Sequence, residues 1–230
     1  MCIRDRVLAV RLYSGPGYQP VNEFLRQVAR LSGDYRRELV QHPGLTLGAT
    51  VLHLVSAIRK LSAVATDEEA RAPLWRGVRG TLPVDFWQPD ATGIVCAVDM
   101  AFMSTSRNKQ TPIEYMGEGE NVLWALRPSR ESDTGFHCGA DISMLSQFAH
   151  EQEVLYPPAT MLEVVPGVVW FGDEAGAPAA TDAAAAPPAA PPAAAPATSV
   201  AASPPIKEAS RLAKTRGGHY LEVGVRPTFV

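Results

Sequence analysis

Residues 146–158 read SQFAHEQEVLYPP, with Glu151 and Glu153 flanking a single residue immediately before the apolar run Val154, Leu155, Tyr156 and the prolines Pro157 and Pro158. Branched and aromatic residues stopped by prolines predict a strand entering a core. In an extended segment alternate side chains share a face, so the two carboxylates would point the same way, roughly 6.5 to 7 Å apart. They repel each other. Either both lie in water, as a bare ExE on a solvated edge does, or a site supplies each with a cationic or hydroxylic partner. The buried sequel puts the acids at a rim between core and cleft. There, one carboxylate could stabilise an oxocarbenium-like centre while its neighbour handles a nucleophile's proton, chemistry that suits a glycosidic bond.

Moving outward, the texture from Pro73 onward is of short strand-like runs separated by turns: PLWRGVRG, MAFMSTS, NVLWALRP, EVLYPP and TMLEVVP. This predicts an antiparallel sheet. A short helix is expected over 111–116, capped by Thr111 with Pro112 in its first position. Upstream, Phe24, Leu25, Val28 and Leu31 recur at helical spacing behind Asn22, an N-cap residue type, with Gly33 as a stop. Leu47, Val51, Leu54, Ile58 and Leu61 predict a second helix over 47–65. LYSGPGYQPVN, before the first helix, reads as a loop.

Residues 175–205 are Ala/Pro low complexity without the apolar bulk for a core, and read as disordered. HYLEVGVRPTFV, residues 219–230, alternates as a strand that Pro227 ends. A lone strand needs partners, so it should return to the main sheet and make the tract an insertion in a hairpin. KEASRLAKTR, between the two, fits a short basic helix or a solvated face. The expected organisation is one α+β domain over 7–172 plus 219–230. Residues 7–72 form a helical lobe, 73–172 and 219–230 a β core, and 173–218 a disordered insertion.

With 230 residues, 46% apolar and 20% charged, the chain can bury one good core. A formal charge of −3 without any basic stripe argues against nucleic acid, and no run is long and apolar enough for a membrane segment. MCIRD is what ATG TGT ATA AGA GAC would encode, a string similar to a transposase sequencing adapter. Residues 1–6 therefore read as a non-native start, the compartment stays open, and Cys2 carries no weight. Cys96 and Cys138 have no ligand spacing, so no metal is expected; they read as small core residues, with a disulfide as the lesser alternative.

Arg76 lies among apolar neighbours in LWRGVRG, where a guanidinium needs an anion: a phosphate, a carboxylate, or a structural ion-pair partner. Ser104, Thr105 and Ser106 form a hydroxyl cluster that could cap a turn or serve a site. In chain order, Arg76, the Ser-Thr-Ser triplet and the Glu151-Gln152-Glu153 pair resemble the arginine-specific mono-ADP-ribosyltransferases. AFMSTS is similar to the family's FMSTS strand, EQEVLYPPATMLEV to its ExEVLFPP segment, and LYSGPGYQPVNEFLR to its YTGPxYxxxNxxLR segment. The resemblance spans about 12–172 and resumes at 219–230, with Trp75 where tyrosine is usual and Ala101 where glycine is.

That resemblance implies two packed antiparallel sheets around an NAD cleft, beside an N-terminal helical subdomain. It implies NAD as co-substrate and a protein bearing an accessible arginine as partner; the chain is expected to act as a monomer. Arg76 would hold the NAD phosphates, and Ser104 would position the nicotinamide ribose and the catalytic glutamate, with Thr105 and Ser106 bracing the strand. Glu153 would bind the ribose 2′-hydroxyl, and Glu151 would orient the acceptor guanidinium and take its proton. Gly77 completes the expected NAD-contacting set. NAD hydrolysis and a catalytically silent module of the same fold are the competing readings.

Overall fold

The computed structural model describes residues 2–29, 47–128, 138–171, 213–215 and 218–229. Helix α1 (Ile3–Leu12) continues through a π-helical turn, Tyr13–Gly17, into α2 (Tyr18–Ala29). Its backbone breaks from helical values only at Gly15 (φ −100°, ψ −158°). The Gly/Pro-rich stretch expected to be a loop is thus a kink joining two helices. A side chain at Gly15 would collide with the amide of Gln147.

Asn22 consequently sits inside a helix rather than at its cap. Its amide donates to the Phe102 carbonyl and to the Tyr13 hydroxyl and accepts from the Phe102 N–H, at 3.0 to 3.3 Å. The backbone just ahead of a strand is thereby satisfied by a helix side chain. Gly33 and Leu31 lie outside the described residues. Helix α3 (Gly48–Ser62) matches the second expected helix, burying Leu54, Ala57 and Ile58. Helix α4 (Asp67–Arg71) follows, opened by a reciprocal capping box between Thr66 and Glu69.

The strands are β1 (Leu74–Arg79), β2 (Cys96–Asp99), β3 (Met103–Ser106), β4 (Glu120–Leu126), β5 (Ala140–Asp141), β6 (Glu153–Tyr156), β7 (Thr160–Phe171), β8 (Ala213–Thr215) and β9 (Gly218–Phe229). Helix α5 (Gln110–Met116) lies between β3 and β4. It starts one residue before Thr111, and the Asn108 side chain accepts from the Gln110 N–H. The expected cap at Thr111 therefore falls inside the helix.

Hydrogen bonding links eight strands in the order β2-β7-β9-β4-β1-β3-β6-β5, with β8 on β9. Among the described residues every pairing is antiparallel except β4 with β9, which is parallel. β2 and β3 are five strand spacings apart along this path, about 24 Å if the sheet were flat. Only residues 100–102 join them, a span of about 14 Å at most. The sheet must curl, bringing its two ends to face each other. This reconciles one hydrogen-bonded path with the expected pair of packed sheets.

β9 returns to the sheet, but Pro227 does not end it. The Val225 carbonyl accepts from Arg127 on the β4 side. Two residues on, the proline nitrogen faces that same side, beyond the last β4 pairing at Val225, where no N–H is required. Ala213–Thr215, in the stretch KEASRLAKTR within the expected insertion 173–218, pairs with β9. The Ala/Pro tract, residues 175–205, lies outside the described residues. Cys96 and Cys138 are both free thiols.

Two buried clusters divide the faces of β3 and β6. Phe102 and Leu155 pack with Ala140 and Ile142 under the helical lobe, against Val10, Tyr13, Leu54 and Ile58. Met103, Val154 and Tyr156 point the other way and pack with Leu74, Trp124, Leu162 and Val223. This alternation fixes where the neighbouring polar side chains go. Ser104, Ser106 and Glu153 share the face of Phe102 and Leu155. Among the described residues, no helix is long and apolar enough to cross a membrane.

Candidate active site

Ser106 pairs with both Glu153 of β6 and Trp75 of β1. Directly paired residues project to one face, so this register places Ser106 and Glu153 together on the floor of a cleft of about 820 Å³. Its walls come from the kinked helix (Tyr13, Asn22, Arg26), from β1 (Arg76, Arg79) and from α5 (Tyr115). All of Arg76, Gly77, Ser104, Thr105, Ser106, Glu151 and Glu153 line it.

The two glutamates arrive there by different geometry from that expected. Glu151 ends a single 3-10 turn, Ala149–Glu151, and Gln152 adopts a left-handed conformation (φ 49°, ψ 49°) before the strand starts at Glu153. Strand alternation therefore does not align the pair. A positive φ at a non-glycine residue is sparsely populated. Here it is held by the Gln152 carbonyl accepting from Arg107 N–H at 3.2 Å. The Ser106 hydroxyl fixes the same turn by donating to the Glu151 carbonyl at 2.6 Å and accepting from the Asn108 N–H at 2.9 Å.

Glu153 is 6% exposed. Burial pushes its carboxyl above the ordinary 4.5, an interaction with the Ser104 side chain pulls it down, and the Glu151 charge pushes it up again. Thr105 turns its hydroxyl away from the cleft, donating to the Val154 carbonyl at 2.6 Å, so it braces β3 against β6.

Arg76 donates from Nη1 to the Ser104 carbonyl and from Nη2 to Oδ2 of Asp99, both at 3.0 Å. Among the described residues two of its five N–H donors are used in this way, which leaves the others for a ligand. Asp99 also accepts from the Ala101 N–H and faces Nη2 of Arg26 at 3.8 Å, joining the helical lobe to the β core. The sequence reading missed Asp99, although an acid inside the apolar run CAVDMAFM was a usable signal. It also missed Tyr115, whose hydroxyl donates to Oε1 of Glu151 at 2.5 Å.

Gly77, which lines the cleft, also permits a close contact between a helix and a strand. A Cβ there would meet Met116 Cγ at 2.5 Å and the Pro112 carbonyl at 2.7 Å. The glycine lets α5 lie directly on β1. Gly77→Ala is expected to lower stability by about 1–3 kcal/mol, because one contact is backbone and cannot rotate away. Denaturant titration of the variant measures it.

A dinucleotide with an anionic diphosphate needs cations and hydroxyls along one groove. Arg26, Arg76 and Arg79 line this one, together with Ser104 and the two glutamates. Its size lies within the roughly 300–1,000 Å³ of ligand clefts. The residues present fit NAD.

Solved structures with this fold include the ADP-ribosyltransferase HopU1 of Pseudomonas syringae pv. Tomato DC3000, at 18% identity and TM-score 0.52, covering 96% of this chain and 76% of that one. The Vis toxin of Vibrio splendidus, also an ADP-ribosyltransferase, matches at 16% identity and TM-score 0.52, covering 98% and 74%. Vis in complex with agmatine gives 17% and 0.53, covering 97% and 74%. No curated protein sequence matches the chain. The fold is that of an ADP-ribosyltransferase. The chain belongs to the NAD:arginine ADP-ribosyltransferase family, whose model matches residues 2–168. Its chemistry is transfer of ADP-ribose from NAD.

Proposed function

We propose that the acceptor is the guanidinium of a protein arginine and that the two glutamates divide the work. The observation that carries this is the contrast between them: Glu153 buried on the sheet beside Ser104, Glu151 half-buried at the rim on its own turn. Arg76 neutralises the diphosphate through its uncommitted N–H groups, with Asp99 fixing its plane. Glu153, as carboxylate, accepts from the ribose 2′-hydroxyl and stabilises the positive charge that grows at the anomeric carbon as the bond to nicotinamide breaks. Nicotinamide leaves with the bonding electron pair. A guanidinium nitrogen then bonds to that carbon, and its proton passes to Glu151, which is needed because arginine stays protonated at neutral pH.

Agmatine, the ligand of the Vis complex, carries the same guanidinium and serves as acceptor in the test. Wild type is expected to form ADP-ribosyl-agmatine. Glu151→Gln should form it about 10²- to 10⁴-fold more slowly, the usual contribution of a general base, while still releasing free ADP-ribose. Adduct formation by Glu151→Gln at the wild-type rate would remove that residue from the acceptor step, and a wild type that only hydrolyses NAD would make water the acceptor.

A further inference from the structure

Among the described residues, the Glu151 side chain has one hydrogen-bond partner and no cation: the Tyr115 hydroxyl, donating to Oε1 at 2.5 Å. A charge-assisted O–H to carboxylate bond of this length belongs to the strong class. The backbone of Glu151 is pinned separately, its carbonyl by Ser106 and its N–H by the Phe148 carbonyl at 3.1 Å. What remains to orient the carboxylate is therefore Tyr115.

The tyrosine can do this because its helix is fixed, although the residue itself is 62% exposed. Its carbonyl accepts from Nε and Nη2 of Arg79 at 3.3 and 2.8 Å. Pro112 and Met116, on the same short helix, press on Gly77. The bond to Glu151 is the first cause, ahead of burial, that pushes the phenol up to about 12, so it remains a protonated donor across the physiological range. While donating, the phenol oxygen keeps lone pairs for an incoming N–H, and its exposed ring offers a face to a planar cation. A water molecule makes no use of that face.

We infer that Tyr115 is a specificity-determining positioning residue, holding the Glu151 carboxylate in the orientation that receives a guanidinium and thereby setting the partition between transfer and NAD hydrolysis. The inference rests on the acceptor role proposed for Glu151. The test measures, in wild type, Tyr115→Phe, Glu151→Gln and the double variant, the ratio of ADP-ribosyl-agmatine to free ADP-ribose, together with KM for agmatine and for NAD.

Removing the hydroxyl should lower the ratio about tenfold or more, the typical effect of losing a hydrogen bond to a charged group, and raise KM for agmatine more than KM for NAD. In the Glu151→Gln background the same substitution should change the ratio little, because the partner is gone. An equal ratio in wild type and Tyr115→Phe overturns the inference alone, as does a tenfold effect that persists without Glu151. A wild type that forms no agmatine adduct overturns the role of Glu151 and this inference with it.

Discussion

Glu153→Gln is expected to turn over NAD at least about 10²- to 10³-fold more slowly than wild type, the usual cost of losing a group aimed at developing charge, and to be the more stable protein at pH 7. Both effects come from burial. Water is excluded around a carboxyl that is 6% exposed, so its negative charge acts strongly on a neighbouring cationic centre. The same exclusion raises its proton affinity above the ordinary 4.5. The native state therefore binds this proton more tightly than the unfolded chain does, and stability falls as pH rises from 4.5 through the elevated native value. Glutamine carries no charge and shows no such slope. Chemical denaturation at several pH values should give a stability advantage for the variant at pH 7 that disappears below 4.5. Wild-type kcat/KM for NAD should have an acid limb centred above 4.5. Equal stability at pH 7 would mean that the carboxylate is better solvated than its burial indicates.

Arg76→Lys should raise KM for NAD by about 10- to 100-fold, from the loss of one or more hydrogen bonds between charged groups, with a smaller change in kcat. A guanidinium can hold Asp99, the Ser104 carbonyl and a phosphate together because its donors fan out in one plane. An ammonium gathers its three donors on a single nitrogen and cannot span partners that the guanidinium reaches from separate nitrogens. Because diphosphate contacts persist unchanged while the glycosidic bond breaks, their loss appears mainly in KM. Initial rates over a range of NAD concentrations test this. A kcat loss matching the loss in kcat/KM would place Arg76 in the bond-breaking step instead.

Much of the site was legible because its strands are short, strongly patterned and set in register by apolar neighbours. The apolar run Val154, Leu155, Tyr156 stopped by prolines identifies β6, the short run MAFMSTS identifies β3, and Ser104, Ser106 and Glu153 come with them. What escaped were contacts between residues far apart in sequence. Asp99 meets Arg76 only because the sheet curls, and Tyr115 meets Glu151 only because Gly77 admits α5 onto β1. No local period encodes either. Two local rules also failed for tertiary reasons. Asn22, a favoured cap residue, is spent on the backbone of Phe102 instead, and Gln152 breaks the extended geometry that would have put Glu151 and Glu153 on one face. The parallel pairing of β4 with β9 was hidden likewise, since a strand's pattern does not report the direction of its neighbour.

The position of β9 bears on how the protein comes into being. It lies between β7 and β4, so until it docks, the pair β2-β7 lacks its hydrogen-bonded link to the five strands from β4 to β5. Asp99 belongs to the first group and Arg76 to the second. A nascent chain on the ribosome can thus complete the helical lobe and the β3-β6 ladder long before residues 218–229 emerge. Until then the aspartate is held near the arginine that would hold the diphosphate only by the short connection 100–102, without the β7-β9 ladder that fixes the β2-β7 pair in the sheet. Pairing over such sequence separation is slow to form, so NAD-consuming competence should appear late and in a single step, when synthesis of the strand is finished.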